Sequence, residues 1–209
     1  MVDITPLRVS DAPRLAALHQ RAFPNFFLSS LGQPFLEQFY AGYAEDESSI
    51  CFVARSEDGR PLGAVTGTTE PAGFYKRLLV RRFLGFVVAS IRAAVTQPQA
   101  VPRLLKAVAY RGDSPDVEGP HALLSSICVD PEVKGSGAGR ALAQAWVAEA
   151  ARRGVPRAFL TTDAEDNEPV NSFYQRLGWT LHDSYATAQG RQMNRYEAPL
   201  GPESSTVMG

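Results

Sequence analysis

Residues 129–142, Val-Asp-Pro-Glu-Val-Lys-Gly-Ser-Gly-Ala-Gly-Arg-Ala-Leu, constrain the fold of this chain more than any other stretch. Gly135, Gly137 and Gly139 stand between an apolar run (ALLSSICV) and an amphipathic one (RALAQAWVAEAARRG). The first has the length and make-up of a buried strand. The second puts Leu142, Ala145, Trp146 and Ala150 on one helical stripe. It ends in Arg152, Arg153 and Gly154, a helix-stop signature. Glycines in the connection let the backbone take positive φ and expose its amides. The helix behind them offers unpaired N–H groups and the positive end of its dipole. Lys134 and Arg140 add two cations, so a diphosphate is the natural guest. A P-loop is excluded, because Gly139 is followed by Arg140 and Ala141 rather than Lys and a hydroxyl. A dinucleotide fingerprint fails too, since its third glycine would fall on Arg140.

The order of elements around this loop is legible. A strand at Ile4–Val9 leads to a helix capped by Ser10 or Asp11, with Pro13 in its first turn. Leu15, Leu18 and Ala22 form its stripe, and a second helix spans Pro34–Tyr43. Strands at Ile50–Arg55 and Leu62–Thr69 are joined through Asp58-Gly59, a hairpin signal. Residues 74–111 alternate basic and apolar side chains; with Pro98 and Pro102 as breakers they predict two helices, an insertion covering about 74–118. Then come the strand before the glycine loop, its helix, a strand (RAFLTT), a helix (EPVNSFYQRL) and two strands (WTLHDSYA, QMNRYEAP). One domain over 1–200 and a loose tail at 201–209 follow from this.

Composition narrows the function. The net charge of −1 recruits neither nucleic acid nor membrane, and no segment reaches the ~20 apolar residues that span a bilayer. No signal peptide is evident at the N-terminus. Cys51 and Cys128 lie in apolar runs and read as buried hydrophobes, which suits a cytoplasmic protein. The histidines, His19, His121 and His182, have no metal-ligand spacing.

The glycine loop resembles the pyrophosphate loop of the GNAT superfamily of N-acetyltransferases: Val-x-Pro, a basic residue, then Gly-x-Gly-x-Gly-x-x-Leu. Asn167-Glu-Pro-Val-Asn-Ser-Phe-Tyr174, followed by Gly178-Trp179, is similar to that family's second cofactor segment, with Val170 for Ala and Trp179 for Phe. The resemblance is strong over 121–180 and topological before it. It implies an α/β fold with a mixed, mostly antiparallel twisted central sheet flanked by helices. It implies acetyl-CoA as donor and no metal, with Ile127, Cys128, Val129, Lys134, Gly135, Ser136, Gly137, Ala138, Gly139, Arg140, Asn167 and Tyr174 against the cofactor. Tyr174 is the expected acid for the leaving thiolate, and the strand amides the expected donors to the thioester oxygen.

The acceptor is less legible. A lysine-like amine has a pKa of ~10.4 and must lose a proton to attack. Relatives carry a Glu on the strand of Ile127, where this chain has Leu123. His121, Ser125 and Asp163 remain as candidates, acting directly or through water. Phe23, Phe26, Phe27, Phe35 and Tyr40 predict apolar walls, which favours a small-molecule amine, such as an amino sugar or a hydrophobic amine, acetylated by direct transfer through a tetrahedral intermediate. A protein N-terminus or lysine, and a non-catalytic acetyl-CoA sensor, are the alternatives. The basic insertion is read as a packed helical pair, a lid, a membrane-surface helix or a homodimer surface.

Overall fold

The computed structural model describes residues 2–24, 26, 28–96, 119–187 and 190–200. Phe27, the insertion beyond Thr96 up to 118 and the tail after Leu200 lie outside the described residues. One seven-stranded sheet organises the chain in the order β1-β2-β3-β4-β5-β7-β6. Its strands are β1 (Asp3–Pro6), β2 (Ser49–Arg55), β3 (Pro61–Thr68), β4 (His121–Val129), β5 (Arg157–Asp163), β6 (Thr180–Ala186) and β7 (Gln192–Pro199). Only β4 and β5 run parallel.

Period-2 alternation divides the sheet between two apolar layers. Ile50, Ala54, Val65, Ala122, Leu124 and Leu160 face a helix α5 (Ala138–Arg152) and a short helix α6 (Glu168–Arg176). Val53 and Ala64 face α1 (Ala12–Ala22), α2 (Gln33–Glu45), α3 (Phe74–Arg81) and α4 (Phe83–Thr96). Trp146, fully buried, anchors the α5 layer. Gly67 is glycine because a Cβ there would meet Leu123 O at 2.3 Å and Trp146 Nε1 at 2.5 Å. Helix α5 ends as its sequence predicts. Gly154 has φ +77°, its N–H bonds Ala151 O, and Val155 N–H bonds Ala150 O, a Schellman motif. The Asp58-Gly59 hairpin is also present, with Gly59 at φ +80°.

Three local expectations are corrected. The first strand stops at Pro6, and Val9–Asp11 form a 3₁₀ turn. Asp11 makes no side-chain cap to α1; its carboxylate accepts Arg55 Nη2 at 2.8–2.9 Å and the Arg8 amide at 3.0 Å, an ion pair that outcompetes a cap. Before Thr96 the 74–111 stretch already breaks at Arg82, between α3 and α4; Pro98 and Pro102 lie outside the described residues. Arg82 donates to Gln38 Oε1 and pairs with Glu45, which fixes the bend onto α2. Beyond that bend, α4 buries Phe86 and Ala89 while Leu84, Val88 and Ile91 stay 60–77% exposed.

Candidate active site

The pairing of β4 with β5 covers only His121–Leu123 against Arg157–Phe159. Beyond it β4 stays bonded to β3 as far as Val129, and β5 to β7 as far as Asp163. The two strands therefore part and open a wedge inside the sheet, edged by backbone with no strand partner. Such an edge needs a hydrogen-bonding guest or water. Alternation decides which amides face it. Asp130 N–H bonds Leu62 O, and Val129 pairs with Gly63, so Asp130, Cys128 and Ser126 turn their amides toward β3. Ile127 and Val129 turn theirs into the wedge. Of the three expected strand donors, Cys128 is thus engaged in the ladder.

The loop after β4 is held from its first residue. Buried Asp130 accepts the Glu132 amide and receives Arg21 of α1 at 2.7 Å. Gly135 and Gly137 have φ +90° and +83°, and a Cβ on either would meet nothing within 4 Å. Gly139 corrects the expectation that all three glycines need positive φ. It lies in the first turn of α5, which starts two residues earlier than its stripe suggests. A Cβ there would make ordinary contact with Val129 Cγ2 at 3.6 Å and Phe173 Cζ at 3.8 Å, so the position is merely small. The first helical bond of α5 is Ala141 N–H to Gly137 O, and Ala138 N–H reaches only Ser136 Oγ at 3.4 Å. Among the described residues the amides of Gly135, Gly137, Gly139 and Arg140 bond no acceptor, and exposed Lys134 and Arg140 pair with no carboxylate. This geometry fits a diphosphate.

Tyr174 lies across the wedge from β4, in the α6 layer. Gly178 at φ +82° closes α6 with a second Schellman motif, in which Trp179 N–H bonds Tyr174 O at 3.1 Å. The Trp179 ring then meets the Tyr174 ring edge-on at 6.0 Å, with Phe173 at 5.2 Å. Burial raises the phenol well above its ordinary pKa, so it stays protonated and keeps a proton to donate. Its hydroxyl has no partner among the described residues and is not one of the fully enclosed polar atoms.

Asn167 stands at the N-cap of α6, but its side chain makes no cap. It donates back to Thr162 Oγ1 at 2.8 Å and Asp163 O at 3.1 Å, tying α6 to the end of β5. Asn171, which no local sequence signal singles out, completes that tie. Its amide donates to Asp163 O and Asn167 O, and its Oδ1 accepts Asn194 Nδ2 and the buried Tyr196 hydroxyl at 3.0 Å each. Replacing Asn171 with alanine leaves that hydroxyl without its acceptor. We expect a loss of about 1–3 kcal/mol in denaturant unfolding; a change below about 0.5 kcal/mol would remove Asn171 from the support of α6.

The candidate bases are placed unequally. Both oxygens of Asp163 are taken by Arg191 at 2.7–2.9 Å. His121 is buried at the closed end of the wedge, its Nδ1 on Gly119 O at 3.1 Å. Ser125 stands on a bulge of β4, toward α2 and α3. His19 packs in the core: its Nδ1 meets Tyr40 Oη at 2.9 Å, and burial lowers it to about 4. Both cysteines are free. Burial pushes the Cys51 thiol up to about 12 and that of Cys128 well above its ordinary range, so neither supplies a thiolate. The apolar wall is also corrected. Phe35 and Tyr40 are buried within the helical layer, because α2 turns them toward α4 and the sheet; Phe26 stays exposed beneath Arg191, 5.8 Å from the guanidinium carbon to the ring centre.

The sequence pattern of the acetyltransferase (GNAT) family matches residues 12–179. No curated protein sequence matches. Among solved structures, the Escherichia coli ribosomal-protein-S18-alanine N-acetyltransferase superposes at a TM-score of 0.59 and 19% identity, over 96% of this chain and 95% of that one. Arabidopsis thaliana NAA60, in complex with acetyl-CoA, gives 0.60 at 14%, over 95% and 98%. A chimera of spermidine N-acetyltransferase SpeG from Vibrio cholerae with hSSAT gives 0.62 at 13%, over 100% and 98%. These identities speak for the fold alone. No helix among the described residues is long and apolar enough to cross a membrane. With the family pattern lying over the parted strands and the glycine loop, the chain belongs to the acetyltransferase (GNAT) family and is an acetyl-CoA-dependent N-acyltransferase.

Proposed function

We propose that the acceptor is the primary amine of a small molecule, of the amino-sugar or hydrophobic-amine kind. One observation carries this reading. The α2–α3 side of the wedge is backed by an aromatic layer, buried Phe39, Tyr43 and Phe74 and half-buried Tyr75, in successive ring contacts of 4.8–5.5 Å. Among the described residues no carboxylate bonds to these rings' hydroxyls. A polycation would call for carboxylates there; an apolar or hydroxylated amine is served by rings and hydroxyls.

The proposed division of labour follows the two faces of the sheet. The loop amides, Lys134 and Arg140 hold the diphosphate of acetyl-CoA. The Ile127 and Val129 amides orient its thioester arm, which supplies the acetyl group. One of them donates to the carbonyl oxygen as charge develops there. Tyr174 hydrogen-bonds the departing sulfur from the α6 side, and the amine enters from the α2–α3 side. A CoA-thiol release assay with amino sugars, aryl-alkyl amines, polyamines and lysine or N-terminal peptides tests the reading. We expect turnover above the hydrolytic background with the first two groups. Turnover with peptides alone would contradict it, and none with any amine would favour the sensor.

A further inference from the structure

The bulge in β4 falls between the pairs Thr66–Ser126 and Gly67–Leu124, leaving Ser125 as the extra residue. It lies in the segment that has left β5, and it turns its side chain toward α2 and α3. Tyr75 of α3 donates its hydroxyl to Ser125 Oγ at 3.3 Å. Tyr43 of α2 approaches both: its phenol is raised by burial first, then by Tyr75, while Ser125 acts in the opposite sense. Tyr43 is 1% exposed, and its hydroxyl has no hydrogen-bond partner within bonding geometry. Three hydroxyls thus converge on one point of an otherwise aromatic wall, opposite the face that carries Tyr174.

We propose that Ser125 and Tyr75 form the proton exit for the acceptor nitrogen, with the Tyr43 hydroxyl buried beside them. The proposal rests on the amine reading above. The two hydroxyls rotate so that Ser125 donates to Tyr75 Oη, and the ammonium N–H proton then passes to Ser125 Oγ as the Ser125 proton passes to Tyr75 Oη. The Tyr75 proton leaves to bulk water, reached because Tyr75 is only half-buried. The nitrogen lone pair so freed attacks the thioester carbon, and the C–S bond breaks with its electrons on sulfur. Each hydroxyl ends neutral. The titratable groups facing the trio are Tyr43 itself and Cys51 of β2; the arginines of α3, Arg77 and Arg81, are engaged with Glu70 and Asp46.

The test is the pH dependence of kcat/KM for an accepted amine in wild type, Tyr75→Phe and Ser125→Ala. Acetyl-CoA binding is followed alongside by thermal shift. We expect both variants to lose about 30-fold or more at pH 7. The loss should shrink to about threefold by pH 10, where the free amine is abundant. Thermal protection by acetyl-CoA should be unchanged, and the double variant should be no worse than the weaker single one. The smaller Ser125→Ala change carries the test if Tyr75→Phe fails to fold. No loss, or the same loss at every pH, would overturn the relay and leave the amine reading standing. A wild-type enzyme that acetylates no amine would overturn both.

Discussion

Gly137→Glu is expected to abolish acetyl-CoA binding, weakening it at least about 100-fold, while the protein remains folded. Two effects add. Gly137 stands at φ +83° as the N-cap of α5, a conformation that costs a residue with a Cβ about 1–2 kcal/mol. The new carboxylate would also sit among the unpartnered amides of Gly135, Gly139 and Arg140, satisfying donors meant for phosphate oxygens and repelling the diphosphate. Since nothing lies within 4 Å of a Cβ at this position, packing gives no third reason for failure. Gly137→Ala separates the two: it carries the backbone strain without the charge and should weaken binding by no more than about 30-fold, the equivalent of about 2 kcal/mol. Calorimetric titration of wild type and both variants reads the difference. If Gly137→Glu bound acetyl-CoA as wild type does, the glycine loop would not be the cofactor site.

The second large effect is expected from Tyr174→Phe: a fall in kcat of roughly 10²-fold, with acetyl-CoA affinity unchanged within about threefold. The ring itself packs against Phe173, Trp179 and Tyr196, and phenylalanine keeps those contacts. Only the hydroxyl is lost. A coenzyme thiol has a pKa near ~8.5 and an ordinary phenol ~10, so complete proton transfer would run uphill by at least about 2 kcal/mol. Burial widens that gap. Tyr174 therefore acts by donating a hydrogen bond to sulfur as charge appears on it. The sign for pH follows: a phenol raised by burial keeps its proton past the ordinary tyrosine range, so the wild-type to variant ratio should be flat from pH 6 to 9. Steady-state kinetics across that range test both statements. Unchanged turnover would take the tyrosine out of the mechanism; a ratio that vanished above pH 8 would mean its proton is lost earlier than burial allows.

The parts of the fold that were legible in the sequence are those fixed by local chemistry. Gly59, Gly154 and Gly178 mark turns that only positive φ can close, and the stripes of α1, α2 and α5 mark faces that only burial can satisfy. Cofactor-side geometry belongs to this class, since a loop between a strand and a helix start is written in consecutive residues. What escaped depends on pairings across the chain. Ser10 or Asp11 as a cap was a sound local choice, overruled by Arg55, which is distant in sequence and adjacent in the sheet. The Asn167 side chain likewise turns from the start of α6 to the end of β5. Phe35 looks like a pocket residue until α4, placed by Arg82 against Gln38 and Glu45, covers it, and Tyr40 until His19 of α1 takes its hydroxyl. The acceptor side is harder still, because Tyr43, Tyr75 and Ser125 come from three elements, and a bulge that no residue type announces turns the serine toward the two tyrosines.

The central claim is that main-chain amides at the junction of β4 and α5 hold the donor by its diphosphate. Calorimetric titration with acetyl-CoA and, in parallel, with S-acetylpantetheine, which keeps the thioester arm and lacks the diphosphate, tests it most directly. The predicted result is a saturable heat with acetyl-CoA and an affinity at least about 100-fold lower for the truncated thioester, some 2.7 kcal/mol assigned to the loop. Equal affinities, or no heat with acetyl-CoA, would contradict it.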